Sequence, residues 1–315
     1  MDTPLNAKTP IDLAHALQAT IDKNHKGHLE LPLFPLNTDG IDIHGRNATI
    51  RRVKITNFDD AVVAKPGRSS EDIKCTEDIL VEDVDVMFGV GMSIGSVSPD
   101  INHECIRDFT ARDIRFKYPF KALYVKTNPG SEGTAEIRNI WYENITMDTP
   151  IWFGIYIGPQ QMKEPNGEGP GCMLYPLNND CPTDPLVTIS NITLKDIKST
   201  GGVLPAGILR CNKTNPCTDF TFDNVDIRSK FWDFLGYGYI SEYVEGTVKN
   251  NVFPDPQFKP KGYYAATPAD HIEDEVFDLI NLLTPEKYIE TCFRAIFFIN
   301  IEIFYHMGLI DFVFN

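Results

Sequence analysis

The sequence predicts an all-β chain wound as a single-stranded right-handed parallel β-helix, preceded by a short N-terminal helix. Three observations carry this. A unit of about thirty residues repeats, each unit holds two short strand-like runs, and helical periodicity is absent through the middle of the chain. The repeat is a charged residue and an Asp or Asn placed just before a β-branched residue: "EDVDV" at Val84, "RDIRF" at Ile114, "ENITM" at Ile145, "KDIKS" at Ile197 and "DNVDI" at Val225. "IRRVKI" at Val53 fits the same slot, and the successive gaps are 31, 30, 31, 52 and 28 residues. A second apolar run follows in most units: "AVVA", "MSIGSV", "ALYVK", "FGIYIG" and "AGIL". One unit cannot bury its own apolar face, so neighbours must stack. Units of this length without a WD or kelch signature favour a β-helix over a propeller.

Taken in chain order, "TPIDLAHALQATIDKNHKG" reads as one helix. Thr9 caps it, Pro10 suits its first turn, and Leu13, Ala16, Leu17 and Ile21 share a face. Residues 1–36 are this helix and an extended lead-in, 37–262 the β-helix, and 263–315 a tail unrelated to the repeat. The long fourth gap holds a Pro- and Gly-rich insertion, "GPQQMKEPNGEGPGCMLYPLNNDCPTDP". In the tail, Glu302 and Asp311 interrupt the apolar run, so no membrane span is expected and a docked helix or strand fits better.

At 315 residues, with 42% hydrophobic and 23% charged side chains, the chain can build a large soluble core. A formal net charge of -15 argues against nucleic acid, which needs a basic stripe. An anionic polysaccharide would equally need local Lys or Arg in its groove. Of the seven cysteines, Cys172–Cys181, Cys211–Cys217 and Cys75–Cys105 can pair, leaving Cys292; free thiols are the alternative. Sequons begin at Asn47, Asn144, Asn191 and Asn212, which is compatible with a secretory route. "MDTPLNAKTP" has no apolar core and does not read as a signal peptide. His44 and His103 have no neighbouring candidate ligands, no CxxC occurs, and neither a metal nor a cofactor is expected.

The chemistry-bearing residues are carboxylates. Asp39 lies in "NTDGID" and the pair Asp59–Asp60 follows about twenty residues later, in "FDDAVVAK". Coils about 4.8 Å apart would bring Asp39 beside the pair along one groove. The alternative is that all three are turn residues, for which Asn-Thr-Asp-Gly is good chemistry. Lys65 alternates into the same neighbourhood. Trp152 and Phe153 fall on the groove side by repeat phase, whereas Trp141 and Tyr142 read as packing on another face.

"NTDGID" (37–42), Asp59-Asp60, "GVGMSIGS" (89–96) and "YVKT" (124–127) resemble, in order and spacing, the four signature blocks of glycoside hydrolase family 28, the polygalacturonases. The resemblance covers about residues 37–262. It implies a right-handed parallel β-helix, inverting hydrolysis of α-linked galacturonan in pectin, no metal, an extracellular setting, a polysaccharide substrate and a monomer. It places Asp59 as general acid, Asp39 and Asp60 as the pair activating water, and Lys126 on a substrate carboxylate. An inverting pair needs one protonated and one ionised carboxyl, expected about 6.5–9.5 Å apart. Val90 stands where the family has histidine, Tyr124 where it has arginine, and Gln161 where it has a subsite tyrosine. Ala61 and Val86 replace both halves of a family disulfide. A hydrolase with its pocket rebuilt from Tyr124, Tyr156, Trp152 and Gln161 is the reading adopted. The rivals are a non-catalytic carbohydrate-binding β-helix and a calcium-dependent lyase on the same architecture.

Overall fold

The computed structural model describes residues 37–67, 75–99, 103–162, 171–172, 175, 181–202, 204–229 and 238–265. The expected N-terminal helix, most of the insertion and the tail from 266 lie outside them. Fourteen strands are described. The short ones are β1 (Ile41–Ile43), β3 (Asp60–Ala64), β5 (Gly91–Val97), β7 (Leu123–Thr127), β9 (Ile155–Gln160) and β11 (Gly207–Arg210). Alternating with them are the long strands β2 (Arg46–Asn57), β4 (Cys75–Phe88), β6 (His103–Lys117), β8 (Thr134–Asp148), β10 (Val187–Gly202) and β12 (Cys217–Ser229), followed by β13 (Tyr239–Phe253) and β14 (Lys259–Ala265).

Short strands pair only with short and long with long, every pair parallel, until β13 joins the two ranks. This is a right-handed β-solenoid in which each coil contributes one short and one long strand. The last pairing departs from the expected all-parallel pattern: β14 runs antiparallel to β13, with Ile240 opposite Ala265.

The repeat noted in the sequence is a register column. Val53, Val84, Ile114, Ile145, Ile197 and Val225 are successive Cα partners. From Val84 onward each is at most 1% exposed. Burying such a side chain contributes about 1.5–3 kcal/mol each, so the column holds the coils together. Ile197 pairs with Ile145 despite the long gap, because the extra residues leave the stack between β9 and β10.

The Asp or Asn before each column residue from Val84 onward has a backbone cause. Asp83, Asp113, Asn144, Asp196 and Asn224 all adopt left-handed φ of 51–58°. Asn and Asp tolerate that region better than other L-residues. A second such column runs through Asn47, Asp78, Asp108, Asn139, Asn191 and Asp219. Stacked one per coil, the side chains bond to each other: Asn144 Nδ2 donates to Asp113 Oδ1 at 2.6 Å, Asn191 Nδ2 to Asn139 Oδ1 at 2.8 Å. Sequon asparagines Asn144 and Asn191 are thus rungs of these ladders. Replacing Asp113 with Ala is expected to cost about 1–2 kcal/mol, read as a lower urea midpoint; an unchanged midpoint would refute the assignment.

Three disulfides join Cys75 to Cys105, Cys172 to Cys181 and Cys211 to Cys217. Cys75 and Cys105 are register partners on adjacent coils. Ala61 and Val86, at the positions of the missing family bridge, are buried in the main apolar core. Among the described residues no helix is long and apolar enough to cross a membrane.

Candidate active site

Side chains alternate across each short strand. Val62, Met92, Leu123 and Ile155 are register partners that point into the core, so Val63, Ser93, Tyr124 and Tyr156, one residue on, point outward. The site is built on that outward row and on the turns before it. Asn57, 4% exposed, fixes the turn before β3: its Nδ2 donates to the carbonyls of Thr38, Asp59 and Asp60 at 3.1, 2.8 and 2.8 Å. Thr38 Oγ1 accepts from Phe58 N–H at 3.1 Å, and Gly40 N–H donates to Asp60 O at 2.8 Å. A Cβ on Gly40 would lie 2.4 Å from Ala61 O, so only glycine lets the "NTDG" turn approach β3 this closely.

The result brings all three predicted acids together. One oxygen each of Asp39, Asp59 and Asp60 lies within 4.8 Å of the other two. Asp59 and Asp60 are chain neighbours, and Asp39 is one coil below, so the coil spacing brings the three together. Asp59 accepts the N–H groups of Asn37 and Asp60 at 2.7 and 2.8 Å. Asp60, 1% exposed, accepts from Ser93 Oγ at 2.5 Å and from Lys126 Nζ at 2.6 Å. Lys65 Nζ lies 3.6 Å from Asp39, 3.8 Å from Asp60 and 4.0 Å from Asp42.

Burial first, then repulsion from Asp59, Asp60 and Asp42, raises the Asp39 carboxyl to about 7 against the pull of Lys65. The cluster therefore keeps a proton that an isolated aspartate loses near 3.8. Between those two values the folded chain binds more protons than the unfolded one, so stability must fall as pH rises through that window. Asp39→Asn should remove this slope and raise the melting temperature at pH 7.5 relative to wild type. Parallel melting curves at pH 4.5 and 7.5 for the two proteins check it.

The other predicted site residues sit lower. Lys126 is on β7, two coils past the acids as expected, yet its amine reaches back to Asp60 and is 5% exposed. Tyr124 and Gln161, 1% and 5% exposed, bond to one another, Tyr124 OH to Gln161 Oε1 at 3.2 Å, and Gln161 Nε2 also donates to Ser96 Oγ. Tyr156 is buried as well, with its hydroxyl donating to Cys172 O at 2.5 Å. Cys172, Tyr175 and Cys181 of the insertion pack over these tyrosines.

Three participants escaped the sequence reading. Asn57 and Ser93 carried signals: Ser93 alternates outward in "GMSIGS", one coil above Val63, and Asn57 ends β2 just before the acid pair. Lys121 carried none. It is fully buried, its amine 4.0 and 3.9 Å from the ring centroids of Tyr124 and Tyr156. Burial, reinforced by Lys126, pulls that amine well below its usual value.

Three carboxylates also suit a hard cation such as calcium. Here Asp39 Oδ2 and Asp60 Oδ2 already face lysine amines, with which a dication would compete.

The described fold is a parallel β-solenoid with three carboxylates gathered where the turns before β1 and β3 meet. The family model for glycosyl hydrolases family 28 matches residues 12–234, and the chain belongs to that family. Among curated relatives, it is 31% identical over 202 residues to an exopolygalacturonase of Arabidopsis thaliana, covering 63% of this chain and 40% of that one. It is 31% identical over 206 residues to an exopolygalacturonase of Rhizopus delemar, covering 62% and 46%. Rhamnogalacturonase A of Aspergillus aculeatus is 26% identical over 192 residues, covering 60% and 37%. The chain thus spans about two fifths of the length of the curated relatives it matches.

Proposed function

We propose that this protein hydrolyses glycosidic bonds of a pectic polysaccharide outside the cell. The observation that supports this most is the trio of carboxylates from two coils within 4.8 Å, one of them holding its proton to about pH 7. Hydrolysis needs both a proton for the leaving oxygen and an ionised carboxylate for water or for the sugar, and the cluster supplies both at mildly acidic pH. In this proposal Asp39 passes its proton to Asp59, Asp59 delivers it to the glycosidic oxygen, and the Asp39 carboxylate so formed, with Asp60, takes the proton of the attacking water on the opposite face. Lys126 holds Asp60 in place through its 2.6 Å hydrogen bond; Tyr124 and Gln161 shape the subsite from beneath. Reducing-end release from a panel of pectic polymers tests the reading, and no release from any of them would refute it.

The family resemblance supports inversion of configuration. Proton NMR of the first-formed anomer tests it, and a retained anomer would refute it. Activity is expected to be unchanged by chelator; loss with EDTA and recovery with calcium would instead favour the lyase reading.

A further inference from the structure

We propose that Asn144 carries an N-linked glycan whose first sugar packs on the exposed indole of Trp141. This rests on the extracellular setting proposed above and not on hydrolysis.

The first argument is the ring. Among the described side chains Trp141, at 40%, is the one exposed aromatic. It stands on β8 between its register partners Thr110 of β6 and Thr193 of β10, both too small to cover an indole. The ring is nonetheless held. Its Nε1 donates to Glu143 Oε2 at 3.2 Å, and Glu143 is itself fixed by Lys195 Nζ at 2.6 Å. Glu143 lies two residues further along the same strand, so the indole leans toward the end of β8, where Asn144 follows. A fixed, exposed ring offers its face to the apolar C–H side of a sugar.

The second argument is the acceptor. Asn144-Ile145-Thr146 is a sequon, and Asn144 and Thr146 are exposed while Ile145 between them is core. A side-chain amide has two N–H groups, and Asn144 spends one on its rung to Asp113 Oδ1. In the transfer, Asn144 Nδ2 attacks C1 of a sugar carried on a lipid pyrophosphate. The N–C1 bond forms, the bond from C1 to the pyrophosphate oxygen breaks, one amide proton is released and the lipid pyrophosphate leaves. The product keeps one N–H, the number the rung needs. The other sequons fit less well. Asn212 Nδ2 contacts Thr183 O and Oγ1 at 2.8 and 3.2 Å, and its Oδ1 accepts from Thr214, inside the loop closed by Cys211 and Cys217. The threonine of the Asn191 sequon, Thr193, is buried, and Asn47 has no exposed ring beside it among the described residues. Asn144 is also three coils beyond the β2–β3 turn that bears Asp59 and Asp60, so a bulky glycan there stands clear of the acids.

The test is the full chain secreted from a eukaryotic host behind an added leader, which makes the result independent of export in its own organism. Peptide masses before and after amidase removal of glycans should place one on Asn144. Thr146→Val, which keeps the rung, should abolish it and leave kcat unchanged. Trp141→Ala should lower the melting temperature of the glycosylated chain by roughly 2–4 °C more than it lowers that of the Thr146→Val chain. An unmodified Asn144, or equal shifts in the two backgrounds, would overturn the proposal. Wild-type chain that is glycosylated at Asn144 but releases no reducing ends from pectic polymers would remove the hydrolase reading and leave this site standing.

Discussion

Replacing Asp59 with asparagine is expected to lower kcat on the preferred pectic polymer by about 10²–10⁴-fold, the usual cost of losing a general acid. The carboxamide cannot release a proton to a leaving oxygen. Its NH₂ must also oppose one of the two backbone N–H groups, of Asn37 or Asp60, that Asp59 now accepts. That conflict adds about 1–3 kcal/mol of instability, a cost the coil stack should bear, so circular dichroism at room temperature should be unchanged. Reducing-end assays beside melting curves separate the two effects. A folded variant with wild-type kcat would remove Asp59 from the mechanism.

Lys126→Met is expected to be the most destabilising single change in the site, by about 3–5 kcal/mol. The amine lies 2.6 Å from Asp60 Oδ2, and both side chains are nearly enclosed. Removing it leaves a buried carboxylate with Ser93 Oγ at 2.5 Å and Lys65 at 3.8 Å as its nearest support. The companion Asp60→Asn should also destabilise. Lys126→Met with Asp60→Asn together should be far less unstable than the two losses added, because neither buried charge is then left alone. Denaturation of all four proteins completes the cycle. Additive losses would show that the pair is not coupled, and Lys126 would return to the role of holding a substrate carboxylate.

The column from Val53 to Val225 was legible because a solenoid turns spatial neighbours into a sequence period. Its Asp and Asn residues repeat for a backbone reason, the left-handed turn each coil requires. The acids were legible for the same reason: Asp39 and Asp60 meet through Gly40 N–H and the β1–β3 pairing, one short coil apart. How close their oxygens come was not, since that depends on side-chain rotamers that no sequence period fixes.

The site's floor was harder to read. Tyr124, Tyr156 and Gln161 were expected at the pocket surface, whereas they lie buried beneath it. Alternation correctly turned the tyrosines outward from the coil, but the insertion carrying Cys172, Tyr175 and Cys181 packs over them. An aperiodic segment has no register to predict where it lands. Lys121 went unnoticed for a related reason: a lysine reads as solvated until two rings from different coils close over it.

The sequence by itself determined the winding, the inward and outward faces, and the coils that bear the acids, because each follows from local periodicity and backbone preference. Only the tertiary structure decided how many charges the site holds, since burial and the long reach of lysine side chains depend on what lies across the coils. Those two factors raise the Asp39 carboxyl, bind Lys126 to Asp60 and enclose Lys121.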